Sequence, residues 1–248
     1  MLTNVTLQKL DSLGLKGMLK ALELQIKQPN INQLSFEDRL GLLIDSEAVE
    51  RNSRKIDRLL TKSKLRYLEA SIETIDYHPK RNLDQAIILS LSSCEWLVQK
   101  HSLIINGPTG VGKSWLACAF GKQACRNGYS VYYINATHFF EEIRNAIACG
   151  GLNKLKRFIS KINLLIIDDF GIGGIDAQIG PYFLDLIDLQ SISGGLLITS
   201  QIPTENWYDL FNDMTIADAV LDRIIHRANL IELKGDSMRK KRKVSDIS

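Results

Sequence analysis

Two short stretches carry residue types whose spacing could do chemistry. "GPTGVGKS", residues 107–114, is a full match to G-x-x-x-x-G-K-[ST]. Gly107, Gly110 and Gly112 let the backbone curl so that successive amides face one anion. Lys113 would set its ammonium against the terminal phosphates of ATP, and Ser114 would ligate Mg²⁺. Pro108, Thr109 and Val111 within the loop, and Trp115 just after it, complete the expected cofactor-binding residues. The second stretch is "LLIIDDF", residues 164–170, where four apolar residues run into two adjacent carboxylates. A buried carboxylate without a partner is costly, so something must meet Asp168 and Asp169. Asp168 suits a Mg²⁺-associated acid, acting directly or through water. Asp169 suits the acid that orients the attacking water. The alternative is a strand whose terminal acids simply reach solvent.

Phosphoryl transfer relies on positioning and charge stabilisation, which directs attention to two further places. "TSQ", residues 199–201, ends another apolar strand, so Ser200 and Gln201 could touch the water or the γ-phosphate. A helix cap beginning near Pro203 explains them almost as well. In "AVLDRIIHR", residues 219–227, Leu221, Ile224 and Ile225 can pack inward while Arg223 projects outward. It is either an ordinary surface arginine or a charge lent to a neighbouring subunit.

The elements that must hold these residues show in the periodicity. Apolar runs at 103–105, 131–134, 164–167 and 196–199, and a weaker one at 230–233, alternate with helical patterns. Runs without polar alternation belong to a sheet covered on both faces. The expectation is an α/β domain with a mainly parallel central sheet from about residue 99. Upstream the pattern is helical: "TLQKLDSLGLKGMLKALELQ" contains two glycines, "KQPNINQ" breaks it, and Ser35-x-x-Asp38 forms a capping pair for the next helix. Pro79 punctuates the chain, and another helix is predicted over roughly Asp84 to Val98.

Composition bounds the class. The 248 residues are 45% apolar and 24% charged with a formal charge of +3, an ordinary globular balance. No window approaches a bilayer span, and "MLTNVTLQKLDSLG" lacks the pattern of a secretory signal. Cys94, Cys118, Cys125 and Cys149 form no CxxC pair and read as small core residues in a reducing compartment. A cytoplasmic protein with no zinc site and no membrane association is expected.

The charge is unevenly spread. Arg51, Arg54, Lys55, Arg58, Lys62, Lys64 and Arg66 fall within 51–66, where only Asp57 is acidic. Arg51, Lys55, Arg58 and Lys62 share one helical side, suited to a DNA phosphate backbone and not to base reading; a solvated helix face is the alternative. Lys154, Lys156, Arg157 and Lys161 form a second cluster, and the tail "MRKKRKV" a third.

With "LSFEDRLGLLIDSEAVERNSRKIDRLL", "LRYLEASIETIDY", "NGPTGVGKSWLACAFGKQACRNGYSVYYI", "LLIIDDFG", "LLITSQIPTENWYDLF" and "ADAVLDRIIHRANLIELKGDSMR", the chain resembles the IstB-like ATP-binding proteins, helpers of the transposases of bacterial insertion sequences. The resemblance implies a P-loop NTPase of AAA+ type, close in kind to replication-initiator and helicase-loader ATPases. It also implies non-specific binding of duplex DNA, ATP-dependent homo-oligomers, and recruitment and stimulation of a cognate transposase. It places Lys113, Ser114 and Asp168 at the nucleotide and Mg²⁺, and Asp169 at the water-activating position, where the wider superfamily usually has Glu. Gln201 or Ser200 resembles the γ-phosphate sensor, Arg223 the finger donated across a subunit interface, and Arg239 a late basic position near the nucleotide. The implied organisation is a helical DNA-binding and oligomerisation domain at 1–80, an AAA+ ATPase domain with its lead-in helix at 81–236, and a basic tail at 237–248. The short stretch after Arg223 leaves no room for a separate lid. A helicase loader, a small-molecule kinase and a non-catalytic ATP-binding module are the competing functions.

Overall fold

The amino-terminal periodicity becomes three helices, α1 (Leu2–Ser12), α2 (Lys16–Lys27) and α3 (Phe36–Ser63), in a computed structural model that describes residues 2–238. The first glycine ends a helix and the second does not. At Gly14 the chain turns with φ 71°, and the Gly14 and Leu15 amides close on the carbonyls of Asp11 and Leu10, each at 2.9 Å. Gly17 instead permits a close approach: a Cβ there would meet the Ser46 carbonyl oxygen at 2.4 Å. Glu47, only 6% exposed, accepts the Gly17 and Met18 amides at 2.8 and 3.2 Å. It therefore caps α2 from a different helix. Ser35 caps α3, accepting the Asp38 amide at 3.1 Å and donating to the Asp38 carboxylate at 2.8 Å.

The chain divides into two compact units at Arg58/Leu59, inside α3. This division falls upstream of the boundary expected at residue 80. Leu65, Ala70, Ile72 and Ile75 bury their side chains in the core of the second unit, with Leu59 and Leu60 packed against it.

That unit continues through α4 (Gln85–Ser92), α5 (Glu95–Val98), β1 (Ser102–Asn106), α6 (Lys113–Arg126), β2 (Val131–Asn135), α7 (Ala136–Ala148) and α8 (Leu152–Ile159). It is completed by β3 (Leu164–Phe170), α9 (Gly180–Ser193), β4 (Gly195–Ser200), α10 (Met214–Ile225) and β5 (Ala228–Glu232). The single helix expected over Asp84–Val98 breaks in two. Asp84 caps its start, but Cys94 turns left-handed at φ 63°, and the Trp96 indole bonds back to the Leu91 carbonyl at 2.9 Å.

The five strands pair in the order β2-β3-β4-β1-β5, all parallel. Leu103, Ile105, Leu164, Ile166 and Leu197 face a layer containing α4, α5 and α6. Ile104, Leu165, Ile167, Leu196 and Ile198 face the layer of α7, α9 and α10. Each such side chain, fully buried, contributes about 1.5–3 kcal/mol of transfer free energy. Period-two alternation thus feeds two cores, which is why the strands show no polar face. Edge strand β5 is weaker, with Leu230 exposed. Cys149, expected in the core with the other cysteines, is exposed at the end of α7. No helix among the described residues is long and apolar enough to cross a membrane.

Parallel pairing puts the carboxyl ends of β1, β3 and β4 on one edge. Ser200 ends β4 opposite Asn106 of β1 on one side and Phe170 of β3 on the other. The glycine loop and the two acids are thereby brought to either side of one strand end.

Candidate functional site

The loop 107–112 leaves β1 and enters α6 directly. Gly107, Gly110 and Gly112 take φ values of 150°, 87° and 99°, and Gly112 caps α6 without a side-chain bond to its first amides. The first-turn amides of a helix have no acceptor within the helix itself, the arrangement used in phosphate cradles. Lys113 is 5% exposed, and its Nζ donates to the Gly107 and Pro108 carbonyls at 2.8 and 3.0 Å. The chain after β5 crosses the loop: the Met238 amide donates to the Gly110 carbonyl at 2.9 Å. A Cβ on Gly110 would strike the Ser237 hydroxyl at 2.3 Å. Beside the loop lies a cavity of about 580 Å³, whose lining includes Thr109, Lys113, Ser114, Trp115, Asp169 and Gln201. Val111 points away into the core, 1% exposed.

The two acids owe their placement to a bulge. The register of β3 against β4 shifts between Ile167 and Phe170. Leu165 and Ile167 face one core, and Phe170 returns to that same core against Trp207, ring centroids 4.9 Å apart. One residue is therefore extra, and Asp169 absorbs it with φ 56°, an uncommon conformation that Asp tolerates better than most. Asp168 is fully buried. Its Oδ2 accepts the Tyr133 hydroxyl at 2.5 Å, and its Oδ1 accepts the Thr199 hydroxyl at 2.6 Å. Thr199 in turn accepts the Asp169 amide at 2.9 Å. Burial, then the Asp168 charge, pushes the Tyr133 phenol far above its ordinary value, so it stays a donor. Asp168 is absent from the cavity wall, whereas Asp169 is on it. These two hydroxyls meet the Asp168 carboxylate, while Asp169 is held through its backbone amide.

Of the two sensor candidates, only Gln201 reaches the cavity. Its Oε1 accepts the Thr109 hydroxyl, and its Nε2 donates to Asp169 Oδ1 at 3.4 Å, linking loop to acid. Ser200, the other candidate, is fully buried, donates to the Phe170 carbonyl at 2.8 Å and accepts the Ile202 amide at 3.1 Å. Its hydroxyl holds the bulge instead. Arg223, on α10, is away from this cavity's wall. It forms an ion pair with Asp188 of α9 and donates to the Ala219 carbonyl at 2.7 Å. Arg239 and the rest of the basic tail lie outside the described residues.

The residues proposed for DNA are exposed, apart from the half-buried Lys156, but they are not equivalent. Arg51 pairs with Glu47 at 2.7 Å, and Arg54 lies 3.6 Å from both Glu47 and Glu50. Those acids stand just before the basic window, which is why counting from residue 51 overlooked them. Lys55, Arg58 and Lys62 have no such pairing among the described residues. In α8, Lys156 pairs with Asp185 at 2.8 Å, while Lys154 and Arg157 are exposed.

Sequence reading missed the far wall. Tyr67, Glu69, Thr74, Asp76 and Arg81 line the same cavity, from the segment ahead of α4 to which the sequence reading gave a family resemblance and a punctuating Pro79 but no site role. Arg81 is 8% exposed. Its guanidinium donates to the Asp76 carbonyl at 2.6 Å and, inside the glycine loop, to the Val111 carbonyl at 3.1 Å. Burial pushes its pKa below the ordinary arginine value, with Asp76 opposing the shift. No motif covers it; a Pro-initiated turn directly preceding the Asp84 cap was the available signal.

Comparison with known proteins agrees with this geometry. The profile of the family described as "IstB-like ATP binding protein" matches residues 8–246. An insertion sequence IS1162 protein of Pseudomonas fluorescens, named for ATP binding, is 40% identical over 204 residues, 82% of this chain and 88% of its own length. An insertion-sequence protein of Sinorhizobium fredii, likewise named for ATP binding, is 38% identical over 240 residues, 97% of this chain and 98% of its own. Among solved structures, AMPPCP-bound DnaA from Aquifex aeolicus superposes with a TM-score of 0.57 at 19% identity, over 72% of this chain and 55% of that one. The DnaC helicase loader gives 0.55 at 19% identity, over 68% and 99%. At such identities these neighbours show the fold, that of AAA+ P-loop proteins. With the family profile spanning nearly the whole sequence and two relatives above 35% identity over most of it, the chain belongs to the IstB-like ATP-binding protein family.

Proposed function

We propose that the protein is an ATP-hydrolysing, DNA-binding regulator that assembles on duplex DNA and recruits or stimulates a transposase. The observation that carries the nucleotide chemistry is the convergence of Lys113, Ser114, Asp169 and Gln201 on one cavity. The relatives' association with insertion sequences supports a place in transposition. The exposed Lys55, Arg58 and Lys62 on α3 support a contact with the DNA backbone; Lys154 and Arg157 are further candidates, as are Arg51, Arg54 and Lys156 where their acidic partners yield.

In this reading Lys113 exchanges the Gly107 and Pro108 carbonyls for phosphate oxygens. Bound Mg²⁺ would neutralise charge on the phosphate chain. The residues present fit it: Ser114 offers a hydroxyl at the cavity, and each oxygen of Asp168 carries one hydroxyl donor. The Asp168 carboxylate keeps lone pairs beyond those two bonds, so Ser114 and Asp168 are the residues that would hold the ion, directly or through water. Asp169 accepts a hydrogen bond from the attacking water at its carboxylate, oriented by the Thr199 bond to its amide and by Gln201. Addition of that water to the terminal phosphorus breaks the bond to ADP and yields phosphate.

The test is ATP turnover against protein concentration, with and without duplex. Turnover per subunit should rise with both, and Asp169→Asn should lower it by about 10²–10⁴-fold while ATP still binds. Equal rates per subunit throughout reject assembly-linked activation. A helicase-loader role, suggested by the fold of DnaC, replaces the transposase if pull-down captures replicative helicase alone.

A further inference from the structure

The cavity contains a cation that the reading so far leaves without a task. Arg81 is more than nine-tenths buried on the wall facing the glycine loop. Of its five N–H groups, two are used, both on backbone carbonyls, and its Nε is fully buried without a hydrogen-bond partner. No carboxylate lies within ion-pair distance among the described residues. Asp76 is the acid beside it, but that carboxylate accepts the His78 amide at 3.0 Å.

A desolvated guanidinium held only by carbonyl dipoles is an expensive arrangement. Structure alone gives little reason for it, because a neutral side chain could make the same two bonds. The backbone holds the residue firmly in place. Its amide donates to the His78 carbonyl at 2.8 Å, and its carbonyl accepts the Lys234 amide at 3.1 Å. On the loop side, a Cβ at Gly112 would come within 3.1 Å of the guanidinium, so glycine there leaves space for the arginine itself. A planar fork with free donors, buried next to a phosphate cradle, matches phosphate oxygens better than any other group of a nucleotide.

We propose that Arg81 is a second cationic contact for the phosphate chain of the bound nucleotide, supplied by the same protomer from the turn ahead of α4. The inference rests on the nucleotide reading above and extends it. Lys113 approaches the phosphates from within the loop, and Arg81 from the turn packed against it at Val111 and Gly112. Because Arg81 also holds the Val111 carbonyl, phosphate binding is sensed by the segment 76–81, which leads back to α3.

Calorimetric titration of the full chain with ATP, inorganic triphosphate and adenosine tests this, in the wild type and in Arg81→Gln. Loss of a charge-assisted bond should weaken ATP and inorganic triphosphate by roughly ten- to a hundredfold, with adenosine affinity unchanged. Equal weakening of adenosine and ATP would make Arg81 a support for the pocket and overturn the proposal, as would no weakening at all. Should Arg81→Gln fail to fold, the Arg81 Nε–H resonance of wild-type protein decides, assigned by its loss in Arg81→Lys. It should move with inorganic triphosphate and stay still with adenosine; the reverse overturns the proposal. If wild-type protein binds neither ATP nor triphosphate, the nucleotide reading itself falls, an outcome distinct from tight binding that ignores Arg81.

Discussion

Thr199 shows how much a single hydroxyl can hold. It donates to the Asp168 carboxylate at 2.6 Å and accepts the Asp169 amide at 2.9 Å, so it ties both acids to β4 at once. Tyr133 makes only one of these bonds. Thr199→Val keeps the shape but leaves a buried carboxylate short of a donor and a partly buried amide without an acceptor. Each unsatisfied group costs about 1–3 kcal/mol, so this substitution should destabilise the protein by roughly twice as much as Tyr133→Phe. It should also release the positive φ of Asp169 and abolish hydrolysis. Urea unfolding of both variants checks the order; a Thr199→Val protein as stable as Tyr133→Phe would mean the bulge holds itself. Neither role was legible in the sequence. Tyr133 and Thr199 were seen only as strand residues, because a partner on a neighbouring strand leaves no local spacing to read. The glycine loop and the two acids were legible because their chemistry is written in contiguous residues.

Among the elements, the same division between local and distant causes separates what could be read. The Ser35–Asp38 cap, the β1, β3 and β4 runs and the helices after them depend on neighbours in sequence, and they stood where the patterns placed them. The order of the strands, the break at Cys94 and the attachment of residues 59–80 to the second core depend on packing partners far along the chain. The α2–α3 pair is a further case, since Glu47 caps α2 across thirty residues. The Arg51 bond first, then the Met18 and Gly17 amides, hold the Glu47 carboxyl below its ordinary 4.5, against the opposing effect of burial. A depressed folded-state pKa gives stability that is present above the unfolded value and lost as pH falls through the folded one. The first unit should therefore lose helical signal in acid below pH 4.5 more steeply in the wild type than in Glu47→Gln, which has no carboxyl there to titrate. Circular dichroism of the two proteins from pH 7 downward checks this; superimposable acid curves would remove Glu47 from the capping role. Gly17→Ala should be worse than either, because its methyl meets backbone and not a side chain that can move aside.

For the molecule as a whole, the decisive question is whether one protomer completes another. Arg223 is engaged within its own chain by Asp188, but the pair is partly exposed, at 34% and 41% of the two side chains. Such pairs are worth about 0–1 kcal/mol. An arginine placed against a transferring phosphoryl group accelerates the reaction by roughly 10³–10⁵-fold, so the gain from moving it to a neighbour's site far exceeds the cost of leaving Asp188. Asp188→Asn, which loosens the hold on Arg223, should therefore reach full turnover at lower protein concentration than the wild type. Arg223→Ala should bind ATP normally and remain at the dilute-protein rate however concentrated it becomes. A mixture of two inactive proteins separates a trans role from a cis one. Asp169→Asn protomers retain Arg223, and Arg223→Ala protomers retain Asp169, so an assembly containing both has sites with one intact copy of each. Turnover should reappear on mixing in the presence of ATP and duplex. If the mixture stays as inactive as its components, Arg223 belongs to the packing of α9 against α10 and the neighbour contributes nothing through it.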